Sequence, residues 1–306
     1  MSELTRGGEP NANPVELTHA GEASVIHDIG YQRYTGRRLG RGPVFVSLYV
    51  HGFRAAFGLG RSAKAKIFPW LVAGIVLGVA VILAAVRSVT GSLPMNYIQF
   101  ADSMSWLVIF FVAIVAPELV SRDMRSGVLP LYFSRPLRAA DYIGAKFVAL
   151  VTAVWLLLGV PQFVIFLGGA FTTKTGFSGV WDELGDLLPA WSYSLLWAVL
   201  FASISLIIAS LTGKRAFAAA GIVAVFLMTT PVVGVLSILP STTAQHLAGL
   251  ASPMSLTSGI ASWLFAGSNT GFDVDRFGPV YGIEAFTVIA GCLLLLLARY
   301  RKVASL

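Results

Sequence analysis

Residues 118–142 read E-L-V-S-R-D-M-R-S-G-V-L-P-L-Y-F-S-R-P-L-R-A-A-D-Y, a polar bridge set between two strongly apolar stretches. Its 25 residues hold four arginines, two prolines and an adjacent aromatic pair, Tyr132 and Phe133. A passive loop between membrane helices needs no such chemistry, so the bridge reads as a docking segment. The apolar stretches on either side decide the fold.

Hydrophobic residues make up 56% of the 306-residue chain and charged residues only 12%, and mean hydropathy is +0.76. Soluble domains carry roughly 25% charged residues, so the composition is that of an integral membrane protein. Apolar runs of about 20 residues recur, each long enough to cross a hydrocarbon core of about 30 Å. Six spans are expected: 67–86, 104–120, 147–171, 191–211, 216–239 and 280–297, forming one all-α polytopic domain over residues 44–306. Residues 1–43 are rich in Gly, Glu, Asn, Arg and Pro and read as a polar cytoplasmic tail.

Six spans put both termini on one side. If that side is the cytoplasm, 19 of the 22 basic residues lie inside, and only Arg87, Lys174 and Arg276 lie outside. That asymmetry sets the orientation. It also accounts for the net charge of +7 without nucleic acid. The N-terminus lacks the apolar core of a cleavable signal, so the first span is expected to be retained. The single Cys292 allows no internal disulfide.

Before span 1, Phe45, Leu48, Tyr49, Phe53, Ala56 and Phe57 recur at helical spacing and leave His51 and Arg54 on another face. An amphipathic helix along the inner leaflet is expected there. The segment P-M-S-L-T-S-G-I-A-S-W-L-F, from Pro253, is too short to span and suits an interfacial or re-entrant helix.

Span 2 is anomalous. Its apolar part, Met104 to Ala116, covers 13 residues between Asp102 and Pro117-Glu118, so an acid must lie at or inside a membrane boundary. For Glu118 the nearest partner in sequence is Arg122, four residues on; a gating role is the other reading. Pro161 and Pro231 predict kinks in spans 3 and 5. Glu284 lies one turn inside span 6 and is expected to reach the headgroups, an ion site being the other reading. Gly74 and Gly78 form G-x-x-x-G, a helix-packing motif.

No catalytic constellation emerges. The four histidines fall outside the spans with no metal-binding spacing. Asp273-Val-Asp275 reads as a solvated turn. Thr212-Gly213-Lys214-Arg215 lacks the first glycine and the Ser/Thr of a P-loop, so no nucleotide site, cofactor or metal is expected on this chain, and it is read as a non-enzyme.

The bridge and its continuation, up to Asp141-Tyr142-Ile143-Gly144-Ala145-Lys146, resemble the segment after the second span of ABC-2 type transporter permeases. There a charged stretch, a glycine and a small-R-P segment precede D-Y-x-x-G-K. Such a resemblance implies the membrane-spanning subunit of an ATP-driven exporter in a bacterial plasma membrane. The subunit pairs with a second permease protomer, a homodimer being the expected form. Two copies of a separate ATP-binding cassette subunit carry the ATP and magnesium. A short coupling helix within the bridge would present Leu129, Tyr132 and Phe133 to an apolar groove on that partner, flanked by Arg135, Pro136 and Arg138. Glu118, Arg122, Asp123, Arg125 and Gly127 would form the lever leading to it, and Asp141 would cap span 3. Cargo is expected to be a lipid, a drug-like molecule or an amphipathic peptide. A stand-alone secondary transporter and a non-transport scaffold are the competing classes.

Overall fold

The chain alternates long apolar segments with short polar ones, and the folded protein is helical accordingly. A computed structural model describes residues 40–121, 123, 137–173, 176–265 and 273–304. No strand occurs among the described residues. Helix α1 spans Arg41–Ala56, α2 Ala63–Thr90, α3 Tyr97–Ser103 and α4 Ser105–Leu119. After the bridge come α5, Ala139–Thr172, α6, Phe177–Leu211, and α7, Arg215–Ser237. The short α8, Thr242–Leu247, and α9, Pro253–Leu264, lead to α10, Gly278–Ala304.

Five helices, α2, α5, α6, α7 and α10, are long and apolar enough to cross a membrane. The sixth crossing is α3 with α4, a pair bent by 54° at Met104. This pair does not double back. The Tyr97 hydroxyl, at its start, donates to Glu183, which also pairs with Arg87 near the end of α2. Glu118, near its finish, pairs with Arg61, just before α2 begins. The pair therefore runs the length of α2 in the opposite sense. The protein is an all-α polytopic membrane protein.

The bend explains the anomaly of span 2: the crossing begins at Tyr97, not Met104, and Asp102 sits inside it. Its carboxylate accepts from the Tyr193 hydroxyl of α6. Asn96 caps α3 by accepting from the Gln99 N–H at 2.7 Å, while Gln99 accepts from the Asn96 N–H at 3.1 Å, a reciprocal box that satisfies two end donors. Two other spans also start earlier than hydropathy alone places them. Span 3 begins at Ala139 and span 4 at Phe177, so most of the stretch expected to be an outer loop, 172–190, is helix.

Helices α5 and α6 form the centre. In α5, Ala145, Ala149 and Ala153 recur every four residues and are fully buried, which lets neighbouring backbones approach. Trp155 and Trp191 lock the two helices, each indole N–H donating to a carbonyl across the pair at 3.2 Å. Outward from this centre, α2 buries a single stripe, Val72, Val76, Ala80 and Leu83, and leaves Ile67, Trp70, Leu71, Val81 and Ile82 exposed. A helix apolar on every side but buried on one faces lipid with the rest.

Gly74 and Gly78 lie off that stripe. A β-carbon on either meets nothing within 4 Å among the described residues, so that side of α2 is open within the protomer. Pro161 and Pro231 lie within α5 and α7, each of which continues as one helix through its proline. In lipid a helix tolerates this because neighbours re-satisfy the freed backbone groups.

The amphipathic segment before span 1 is helical as expected, beginning at Arg41. Leu48, Gly52 and Ala56 face the bundle, and His51 and Arg54 are exposed. The turn into α2 needs glycine at position 58, where φ is +66° and a β-carbon would approach the Ala65 carbonyl oxygen to 2.6 Å. On the opposite end, α9 packs on α10 through Gly259, which lies against the Tyr281 ring. The Tyr281 hydroxyl donates to the His246 carbonyl at 2.7 Å. Asp273 and Asp275 form a turn, the Asp275 N–H donating to the Asp273 side chain at 3.1 Å. Glu284 is half-buried near the start of α10.

Candidate functional site

The bridge leaves α4 at Glu118 and rejoins the bundle at α5, and the helices around its two roots carry most of the ion pairs. Of the residues expected in the bridge, Arg122, Arg125, Gly127, Leu129, Tyr132, Phe133, Arg135 and Pro136 lie outside the described residues. So do the coupling helix and residues 1–39. Glu118, Asp123 and Arg138 are described, and each stands at a root.

Glu118 is held by cations from outside the helix that carries it. Its carboxylate is shared between Arg61, from the turn before α2, and Arg215, at the first residue of α7, 2.6 Å away. Three segments distant in sequence therefore meet at one acid, whose side chain is only 14% exposed. Asp123 receives the Lys146 ammonium of α5 at 2.9 Å and the Tyr142 hydroxyl at 2.7 Å. Lys146 is almost wholly buried at 4% exposure, and its ammonium lies 5.4 Å from the centre of the Tyr142 ring. Tyr142 packs in turn on Tyr300 near the end of α10, ring centres 5.3 Å apart.

The second root is fixed by Asp141. It accepts from the Arg138 N–H at 3.2 Å, the cap expected from sequence, and also from Arg41 of α1 in a two-pronged pair at 2.6 to 3.0 Å. Bidentate guanidinium–carboxylate geometry fixes orientation as well as distance. Three carboxylates, each with a basic partner, thus tie α1, the α1–α2 turn, α4, α5 and α7 together at one end of the bundle. Arg138 itself is exposed.

Polar chemistry also enters the interior. Gln162 of α5 is fully buried; it donates to the Tyr97 carbonyl at 3.0 Å and accepts from the Ser194 hydroxyl of α6 at 3.1 Å. Together with Asp102 and Tyr193 this forms a polar group beside the bend in span 2. At the end far from the bridge, Arg87 and Glu183 pair through two contacts, one at 2.8 Å. A cavity of about 460 Å³ opens there, lined by Asn96, Asp186, Pro189 and Phe265 among others. Polar side chains thus enter spans 2, 3 and 4.

Sequence reasoning placed Glu118, Asp123 and Asp141 at the site and missed their partners. Arg41 and Arg61 figured there only among the basic residues that set the orientation, Lys146 as the end of the D-Y-x-x-G-K motif, and Arg215 in the rejected P-loop match. Gln162 was legible as the one amide side chain in an otherwise apolar run, next to Pro161. No family model matches this chain, and no curated protein matches it.

Proposed function

We propose that the chain is the membrane-spanning permease subunit of an ATP-driven exporter, coupled through residues 118–142 to a separate ATP-binding chain. The observation that carries this reading is the paired root of the bridge. A force on the bridge reaches Glu118, Asp123 and Asp141, and through their cations it reaches α1, the α1–α2 turn, α5 and α7 together. A bridge that merely joined two helices would have no use for such ties. Its resemblance to the corresponding segment of ABC-2 type permeases supports the same assignment, as does the concentration of basic residues on the bridge side, which fits a cytoplasmic face in a bacterial plasma membrane. The partner supplies ATP and magnesium chemistry; a second copy of this chain completes the pathway.

The test is co-purification with an ATP-binding cassette subunit co-expressed with this chain. The wild-type chain retains it stoichiometrically, and a Tyr132→Ala/Phe133→Ala variant, still monodisperse and helical, loses it. Undiminished association of that variant sinks the coupling assignment. ATP-independent transport driven by an ion gradient points instead to a secondary transporter.

A further inference from the structure

A second cavity, of about 210 Å³, lies where the α1–α2 turn, α2, α4 and α7 converge. It is lined by Arg61, Lys64, Arg215 and Glu118 on its polar side, and by Phe68, Pro69 and Ile114 on its apolar side. Three cations face one carboxylate, so the polar wall carries a net charge of plus two at neutral pH. Glu118 holds two of the cations in place by sharing its charge between them. Lys64 forms no ion pair among the described residues and is exposed. The apolar wall is continuous with the lipid-facing surface: Ile114 is 44% exposed, and Ile67, Trp70, Leu71 and Phe110 around it are also exposed.

We propose that this cavity binds an anionic phospholipid from the leaflet at the bridge end of the bundle. The headgroup phosphate is received by Lys64 and Arg215, and an acyl chain lies along Phe68 and Ile114. Charge and shape both select this occupant. A soluble anion would leave the apolar wall uncovered, and a zwitterionic lipid would bring its own cation to a wall already positive. The site is independent of the transport assignment, because it needs only a membrane at this end of the helices.

Native mass spectrometry of the full chain, with phosphatidylglycerol and phosphatidylcholine as the added lipids, tests the site. Wild type is expected to hold phosphatidylglycerol at least fivefold more tightly than phosphatidylcholine. Lys64→Gln should weaken phosphatidylglycerol by about fivefold, the ratio that roughly 1 kcal/mol per basic side chain at an anionic membrane surface implies. Lys66→Gln, which removes a neighbouring cation outside the cavity, should leave binding unchanged. Ile114→Trp, which fills the apolar side without touching charge, should also weaken the lipid; neither it nor Lys64→Gln removes a partner of Glu118. Equal loss in Lys66→Gln, or no loss in Lys64→Gln and Ile114→Trp, overturns the proposal. Full displacement of phosphatidylglycerol by glycerol phosphate overturns it in favour of a soluble-anion site.

Discussion

The ammonium of Lys146, on α5, lies 2.9 Å from the carboxylate of Asp123, just beyond α4, and Lys146 is 4% exposed. Burial of this kind makes the pair a constraint more than a source of stability, since desolvation offsets much of the attraction. Its loss on one side alone is another matter.

Lys146→Met should therefore destabilise the protein strongly, taking the buried ammonium away from the Asp123 carboxylate. Breaking a buried pair costs about 3–5 kcal/mol, and the partial exposure of Asp123 puts this one at the lower end. Lys146→Met/Asp123→Leu should recover a large part of that loss. Denaturant melts of the two single variants and the double in mixed micelles give the coupling directly; a double variant no better than the sum of the singles contradicts the pairing.

Glu118→Gln removes the acid that Arg61 and Arg215 share. Partial exposure of both arginines limits the stability loss to about 1 kcal/mol. On the permease reading, the larger effect is on coupling: ATPase activity of the complex should persist while its stimulation by cargo falls. Glu118→Arg/Arg215→Glu, which restores one pair with reversed sense, should recover part of the stimulation if the tie itself is what matters.

Gln162→Leu keeps volume in the centre of the bundle and strips the Tyr97 carbonyl and the Ser194 hydroxyl of a partner. Hydrogen bonds between membrane helices average about 0.6 kcal/mol and reach about 1.7, so a loss of roughly 1 kcal/mol is expected in unfolding measurements. Gln162→Leu/Ser194→Ala should be milder than the sum of the two singles.

Two glycines give opposite outcomes. Gly259→Ala drives a methyl into the Tyr281 ring and should lower the melting midpoint clearly, the cost of overpacking being about 1–3 kcal/mol. Gly74→Ala meets no other helix within 4 Å among the described residues and should leave the midpoint of the isolated protomer within experimental scatter. A loss of dimer, seen by size-exclusion chromatography with light scattering, would show that a second copy packs on this face.

Sequence patterning carried the helical architecture because lipid forces backbone satisfaction within each span, so apolar length is a direct readout of crossing. It failed where polar residues continue a helix. Trp181-Asp182-Glu183 looks like a loop by hydropathy, but nothing in it breaks a helix, and Glu183 finds Arg87 from another segment. Span 2 is shortened by hydropathy for the same reason, Asp102 marking its boundary. The site was legible in part. Acids at the bridge roots stand out against apolar surroundings, whereas Arg61 and Arg215 are separated from Glu118 by long stretches of chain, and only the packing register brings them to it.

The 54° bend at Met104 makes span 2 a pair of articulated rods. The joint is stitched by backbone bonds, the Met104 N–H donating to the Phe100 and Ala101 carbonyls at 3.2 Å while its own carbonyl accepts from Val108 at 3.1 Å. One rod is anchored by Glu118 and the other by Tyr97. Because the sine of 54° exceeds its cosine, an axial push on α4 emerges more as a sideways swing of α3 than as a thrust along it. Such a linkage converts piston motion at one membrane surface into lateral motion at the other, with Asp102 close beside the elbow.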